Sequence, residues 1–285
     1  MTNGVRKQKG NISYILNKEK LYYYNFNNNS NRTIKADWWT NNAQANTIEF
    51  VYKHKKATST QELLKSSGSY GGSLWDLRLL SSVDGLSGSF EFRLSQVKSG
   101  KQELTGSAIS MSTDYTIMHP GQLWNVMLQR MTGSVTASGK GTNEYKLAIA
   151  LQDEDKISTL NAVSMSVSGG ITVDGNHLAN QNWHSASVDN SFYIGRTTSG
   201  SMAEFKAWTT ALSASKFKQH VLNKFSVVGN SITAHKDELV YHYRLNENWV
   251  SSSANPKIYD SNPKGPKSNS TNYELSVPTI SGSAL

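Results

Sequence analysis

The sequence contains no cysteine, few prolines and no long apolar run. Without cysteine, disulfides, thiolate metal sites and cysteine nucleophiles are all excluded. No apolar stretch approaches the length of a membrane-spanning helix, and no apolar signal region follows the basic N-terminus, MTNGVRKQKG. A chain of 285 residues can build a core without covalent staples. We therefore expect a globular protein with no membrane segment and no classical secretion signal.

The positive charge is spread along the chain. The formal net charge is +8, with a pI near 9.4. A nucleic-acid interface concentrates basic residues on one face, which this pattern does not favour. A basic arm that touches an acidic neighbouring protein explains the charge at least as well. The closest groups of basic residues are Arg6, Lys7 and Lys9, followed by Lys53, Lys55 and Lys56.

Short segments of alternating apolar and polar residues predict many β-strands. Residues 73–80, for example, place Trp75, Leu77 and Leu79 on one face, which is the better core face. Similar alternation occurs at 47–54, 89–94, 122–130 and 145–152. Nine or more such strands, separated by turn residues, predict a two-sheet β-sandwich.

Residues 190–223 predict two strands followed by one short helix near 213–223. Leu212, Phe217, Val221 and Leu222 recur at roughly helical spacing in its last part. We expect the aromatic residues of the two strands to line the inner face of the sandwich. These residues are Phe192, Tyr193, Phe205 and Trp208.

Two parts of the chain, 10–29 and 229–248, are similar at a constant offset. Tyr22 and Tyr24 match Tyr241 and Tyr243, within a shared pattern of a strand followed by a polar loop. Chance is the alternative, because Asn and Tyr are abundant. The repeat predicts three parts: an arm with the first strand at 1–33, a sandwich at 34–228, and an extension at 229–285 that resembles the opening of a second repeat.

Several segments together resemble the laminin-G-like, concanavalin A-like family. In chain order they are GQLWNVMLQR (121–130), ITVDGNHL (171–178), FYIGR (192–196) and EFKAWTTALSASKFKQH (204–220). This is also their order in the family. The resemblance implies an all-β, two-sheet antiparallel jelly-roll sandwich. It implies no particular activity, because this fold carries lectins, glycosidases, adhesion modules and structural subunits.

Catalytic and metal-binding patterns are missing from the sequence. The paired carboxylates of a glycosidase of this fold are absent, and the acidic run 153–155 is better explained as a hairpin tip. The histidines lack zinc spacing. We expect no enzymatic activity and no cofactor. A calcium site remains an alternative at the loop residues Asp174, Asn176 and Asp189.

Tryptophans in polar, Asn-rich segments are the candidate ligand-binding residues. Trp38, Trp39 and Trp183, with His184, could offer aromatic faces to a sugar, or could cap the sandwich.

Two functions are compatible with this sequence. The first hypothesis is a non-enzymatic structural protein of a tailed-phage particle, assembled in the host cytoplasm, that binds other virion proteins or its own copies. The alternative is a carbohydrate-binding module for host-surface or extracellular glycans. The first is an inference from composition and analogy.

Overall fold

The computed structural model describes residues 21, 23–26, 28, 33–36, 45–67, 73–94, 109–135, 141–169, 183, 192–231, 233–245, 260–262 and 279–280. In chain order their elements are β1 (Tyr24–Asn25), β2 (Ile34–Ala36), β3 (Thr47–Lys53), β4 (Gln61–Ser67), β5 (Ser73–Ser81), β6 (Ser87–Leu94), β7 (Ile109–Ser112), β8 (Thr116–Ile117), β9 (Leu123–Val135), β10 (Gly141–Asp153), β11 (Lys156–Gly169), β12 (Phe192–Ile194), β13 (Ser201–Trp208), α1 (Ala214–Leu222), α2 (Ala234–Asp237), β14 (Leu239–Tyr243) and β15 (Thr279–Ile280).

The described strands form two antiparallel sheets. Sheet A has the order β1-β13-β3-β9-β10-β11, and β14 also pairs with β13. Sheet B has the order β15-β2-β12-β4-β5-β6-β7, and β8 also pairs with β6. The predicted two-sheet jelly-roll sandwich is thus confirmed. Within the described residues, no helix is long and apolar enough to cross a membrane.

The two sheets bury their alternating apolar residues against each other. Trp75, Leu77 and Leu79 of β5 are fully buried, as the alternation predicted. Phe90 and Phe92 of β6 pack in the same cluster. Aromatic rings dominate this core, which suits strands rich in large side chains.

A second, smaller core lies on the outer face of sheet A. Helix α1 begins after Ser213, whose hydroxyl accepts a hydrogen bond from the Lys216 N–H. It buries Phe217 and Val221 against Met127. The predicted helix is therefore confirmed, with a further single turn, α2, before β14.

Tyr193 and Trp208 do not lie on the inner face of the sandwich, where the sequence predicted them. Adjacent positions on a strand point to opposite faces, so Tyr193 cannot share the inner face with Phe192. Trp208, three positions after Phe205, likewise packs beneath α1 and not between the sheets. The prediction is correct for Phe192 and Phe205, which are buried in the central core.

The described strands of the two repeat copies, Tyr24–Asn25 and Leu239–Tyr243, pair with the same strand. Tyr24 of β1 pairs with Met202 and Tyr243 of β14 pairs with Phe205, both on β13. Part of the predicted C-terminal extension therefore completes sheet A. Whether residues 229–285 also open a second unit stays a prediction.

Gly195 follows β12 directly, in a conformation that suits glycine. Its φ is +76°, and a Cβ there would lie 2.0 Å from Cε1 of the buried Phe26 ring. We expect Gly195→Ala to lower the free energy of unfolding by about 2–4 kcal/mol, from backbone strain plus overpacking. Urea denaturation measures this. Gly121→Ala is the control for strain alone, since Gly121 also has a positive φ but its Cβ would meet no atom within 4 Å. Equal losses in the two variants would contradict the predicted clash.

Candidate functional site

An irregularity in β4 brings two charged residues to the same face of sheet B. The pairing with β5 shifts between Glu62 and Leu64, so Leu63 and Leu64 are both fully buried. Glu62 and Lys65 consequently lie opposite Arg78 and Asp76, on the outer face. A regular strand would place them on opposite faces, because they are three positions apart.

Charged residues of neighbouring strands continue this arrangement across the sheet. Lys65 lies between Tyr193 of β12 and Asp76 of β5. Cross-strand neighbours of this kind are close enough for their side chains to interact. We define the outer cluster as Glu62, Lys65, Asp76, Arg78, Glu91, Arg93, Tyr193 and Arg196.

One half of the outer cluster is internally paired. Arg93 donates to Asp76 Oδ2 from Nη2 at 2.7 Å and from Nε at 3.2 Å. Arg78 Nε lies 3.2 Å from Asp76 Oδ1, and its Nη2 donates to Glu91. Asp76 is fully buried, and that burial raises the pKa of its carboxyl despite the two arginines. This half is a network of ion pairs that fastens β5 to β6, although Asp76 Oδ1 and Arg78 Nε are buried without a hydrogen bond.

The other half of the outer cluster contains a cation that is not paired within the described residues. Lys65 is 7% exposed, and its ammonium has no hydrogen bond or ion pair among the described residues. Burial lowers the pKa of this amine. The three N–H donors of this ammonium are therefore available to an acceptor on a ligand.

Three groups surround Lys65 in this half of the outer cluster. Burial raises the pKa of Glu62, whose Oε1 is buried without a hydrogen bond and lies 3.9 Å from Arg196 Nη1. The Arg196 guanidinium stands 5.8 Å from the centre of the Tyr193 ring, which is partly exposed. Cations, a carboxylate and an aromatic face thus lie side by side.

This arrangement is suited to holding a ligand more than to acid–base chemistry. Two carboxylates that share a reaction must both reach the substrate. Asp76 is buried and engaged by two arginines, so it cannot do so. Glu62 has a raised pKa but no second accessible carboxylate in the described part of the outer cluster.

A second charged cluster, beneath α1, is closed. His220 Nδ1 lies 2.9 and 3.0 Å from the two oxygens of Glu49, and Trp208 Nε1 donates to Glu49 at 3.1 Å. His220 Nε2 lies 2.9 Å from the Val228 carbonyl oxygen, so both ring nitrogens face acceptors.

A neighbouring carboxylate continues this buried network. Glu204 lies 2.7 Å from His242 Nε2, 3.2 Å from Arg244 Nε and 3.9 Å from Lys206 Nζ. The cavity beside these groups measures about 10 Å³, about the size of one water molecule. It admits no larger ligand, so this cluster fastens the helix to the sheet.

An open cavity of about 640 Å³ lies at one end of sheet A. Polar groups line most of it, including Gln122, Asp153, Glu154 and Lys224. The Lys224 amine is already engaged, donating to Gln152 and to the Val221 carbonyl. No aromatic residue lines it among those described, so it offers no ring for a sugar to cover.

The structure places one predicted ligand-binding residue in the core. Trp183 is fully buried and stacks on Trp75 with centroids 4.6 Å apart. Its Nε1 donates to the Ala45 carbonyl at 2.7 Å, and its own carbonyl accepts from Trp75 Nε1 at 2.9 Å. Its ring is therefore not available to a sugar, because packing and hydrogen bonds already occupy it.

The other predicted residues lie outside the described part of the chain. These are Trp38, Trp39 and His184, and the calcium candidates Asp174, Asn176 and Asp189. Among the residues that the structure describes, no three His, Asp or Glu side chains come together as metal ligands. Sequence reasoning missed the outer cluster. The signal for it would have been the ELLK motif at 62–65, because strict alternation there would expose one of the two leucines.

Comparison with known proteins gives structural similarities only. No family model and no curated protein matches the chain. A heptameric SAP-like pentraxin from Limulus polyphemus is 11% identical, with a TM-score of 0.36, over 73% of this chain and 82% of that one. A carbohydrate-binding module, CBM40, of a Ruminococcus gnavus sialidase is 14% identical, with a TM-score of 0.33, over 66% of this chain and 91% of that one.

Alginate lyases are also among the similar structures. The enzyme from Alteromonas sp. 272 is 8% identical, with a TM-score of 0.27. The alignment covers 59% of this chain and 54% of the lyase, so it spans about half of that enzyme's length. These similarities concern the fold alone, and the fold assignment rests on the two sheets described above.

Proposed function

We propose that this protein is a non-catalytic binding module that holds an acidic glycan on the outer face of sheet B. The observation that carries the proposal is Lys65, a largely buried lysine whose ammonium makes no hydrogen bond or ion pair with the described residues, beside Tyr193 and Arg196. A carboxylate of a ligand would supply the missing acceptor. Charge-assisted hydrogen bonds of this type are among the stronger polar contacts in proteins.

The neighbouring groups favour a sugar acid over a simple anion. The Tyr193 ring offers an apolar surface to the C–H groups of a sugar ring, and the partly exposed Glu62 carboxylate can accept hydrogen bonds from hydroxyl groups. The outer cluster holds four cations and three carboxylates, so it keeps one surplus positive charge for the ligand. A ligand with both hydroxyls and a carboxylate meets all of these groups.

The module is non-catalytic because Glu62 has no second accessible carboxylate beside it in the described part of the outer cluster. Asp76, the second carboxylate near Glu62, is held by two arginines and is buried. Incubation with an acidic oligosaccharide should leave the length of the oligosaccharide unchanged. A shortened product, detected by mass spectrometry, would contradict this part of the proposal.

Removing the Lys65 charge tests the site. We expect Lys65→Gln to weaken binding of an oligogalacturonate by about 10- to 100-fold, since a hydrogen bond to a charged group contributes about 1.5–3 kcal/mol. Isothermal titration calorimetry measures the affinity. Lys218→Gln is the matched control, because this exposed lysine on α1 loses the same charge at a distant surface. Its affinity should equal that of the wild type.

The methyl ester of the same oligosaccharide separates charge recognition from general sugar binding. It keeps the sugar ring but lacks the carboxylate, so the wild type should bind it at least about 10-fold more weakly. Equal affinity for acid and ester, or equal affinity of the wild type and Lys65→Gln for the acid, would contradict the proposal.

The virion hypothesis stays a prediction. It proposes contacts with other virion proteins or with copies of this chain. The comparisons give it no support. A module that binds glycans is compatible with it, because an adhesion protein of a particle needs such a surface.

A further inference from the structure

The position of Glu62 is fixed by the loop that follows β12. The Glu62 N–H donates to Thr197 Oγ1 at 2.7 Å, and the Glu62 carbonyl accepts from Thr198 Oγ1 at 3.0 Å. The same loop carries Arg196, whose Nη1 lies 3.9 Å from Glu62 Oε1. Backbone and side-chain contacts therefore hold this carboxylate beside the guanidinium.

The Glu62 carboxylate stands among the cations that an acidic ligand would use. The charged groups that act on it from β4, β5, β6 and the loop after β12 are Lys65, Asp76, Arg78, Arg93 and Arg196. Asp76 is the acidic member of this set, and Arg78 and Arg93 already engage it. The positive charge that is left for another carboxylate is that of Lys65 and Arg196, and Glu62 lies beside both.

We infer that Glu62 competes with the carboxylate of the ligand for the positive charge of Lys65 and Arg196, so that an acidic glycan binds more tightly once Glu62 has taken up a proton. This inference rests on the proposed glycan site and adds control of that site by pH. Charged Glu62 repels an incoming carboxylate, because like charges at close range are unfavourable. Protonated Glu62 raises the surplus positive charge of the outer cluster from one to two, and its O–H can donate to the ligand.

Burial brings the protonation of Glu62 within reach. It is the largest influence on the Glu62 pKa and raises it above the ordinary value of 4.5, although the nearby cations lower it in part. A bound anion adds a negative charge beside Glu62 and raises its pKa further. By linkage, binding then takes up protons, so the affinity rises as the pH falls towards the Glu62 pKa and is lost in part as the pH rises again.

Isothermal titration calorimetry with oligogalacturonate at a series of pH values tests the competition. Between about pH 8 and about pH 5 the carboxyl groups of the oligogalacturonate stay charged, because ordinary carboxyl pKa values lie at about 3.3–4.3. We expect the wild-type affinity to rise about 10-fold as the pH falls over this range, and Glu62→Gln to bind about 10-fold more tightly than the wild type at the upper end and to lose the rise. The lowered pKa of Lys65 affects both proteins alike, so the difference between the two profiles reports Glu62. Glu154→Gln, in the exposed turn between β10 and β11, is the matched control and should keep the wild-type profile.

Proton uptake gives a second measurement, which on the wild type needs no variant. The same titration in two buffers of different ionisation enthalpy reports how many protons bind together with the oligogalacturonate. The wild type should take up protons at about pH 6, and Glu62→Gln should not. A wild-type affinity that does not change with pH, or a pH profile that Glu62→Gln leaves unchanged, would overturn the inference but leave the glycan site in place. No binding at any pH would contradict the proposed function, and this inference with it.

Discussion

Trp183→Ala should lower the free energy of unfolding by about 3–5 kcal/mol, the range for a large aromatic residue truncated in a core. The Trp183 ring is fully buried and stacks on Trp75. Truncation also removes the N–H group that donates to the Ala45 carbonyl, which is left without that bond. Urea denaturation followed by circular dichroism measures the loss.

The same variant distinguishes a structural tryptophan from a sugar-binding one. If Trp183 is structural, its folded fraction should bind the acidic oligosaccharide with unchanged affinity. Tyr115→Ala is the control for an exposed aromatic residue and should change stability by less than about 0.5 kcal/mol. Lost binding at full stability would instead restore the hypothesis that Trp183 contacts a ligand.

Glu49→Ala should also cost about 3–5 kcal/mol, the range for removing one member of a buried, hydrogen-bonded charged network. The carboxylate receives hydrogen bonds from His220 and from Trp208. Its loss leaves two buried donors unpaired beneath α1. Thermal and urea denaturation measure this, with Asp155→Ala, in the exposed turn between β10 and β11, as the control. A cost below about 1 kcal/mol would contradict this account of how α1 is held.

The pH dependence of stability gives a second test of the same carboxylate. Burial opposes ionisation of Glu49, but the His220 contacts outweigh it and hold its pKa below the ordinary value of 4.5. A lowered pKa means that the unfolded chain binds a proton more readily, so the stabilisation is present above pH 4.5 and is lost as the pH falls below it. Glu49→Ala should flatten the pH profile in that acidic range. An unchanged profile would show that Glu49 is not responsible.

Much of the fold could be predicted from the sequence, because alternation reports which residues a strand buries. The core positions of β5 and β6, the two-sheet sandwich and the helix after Ser213 all follow from local patterns. Such patterns identify a face of a strand, but they do not identify what covers it. Trp208 and Glu49 illustrate the limit, since both lie on an outer face that α1 happens to bury.

The candidate site could not be predicted for a different reason. It depends on the shift in register after Glu62, which a two-residue alternation cannot represent. It also depends on strands distant in the chain, since β12 brings Tyr193 next to Lys65 over a long sequence separation. Trp183 was misassigned because its polar sequence neighbours resemble a loop, whereas its partner Trp75 lies far away in the sequence.

The central claim is that the outer face of sheet B binds an acidic glycan, and an NMR titration tests it most directly. Oligogalacturonate would be added to ¹⁵N-labelled protein while the backbone amide signals are recorded. We expect the largest shifts on β4 and β12, around Lys65, Tyr193 and Arg196, and no shifts on α1. Shifts confined to the cavity around Gln122 and Glu154, or no shifts at all, would contradict it.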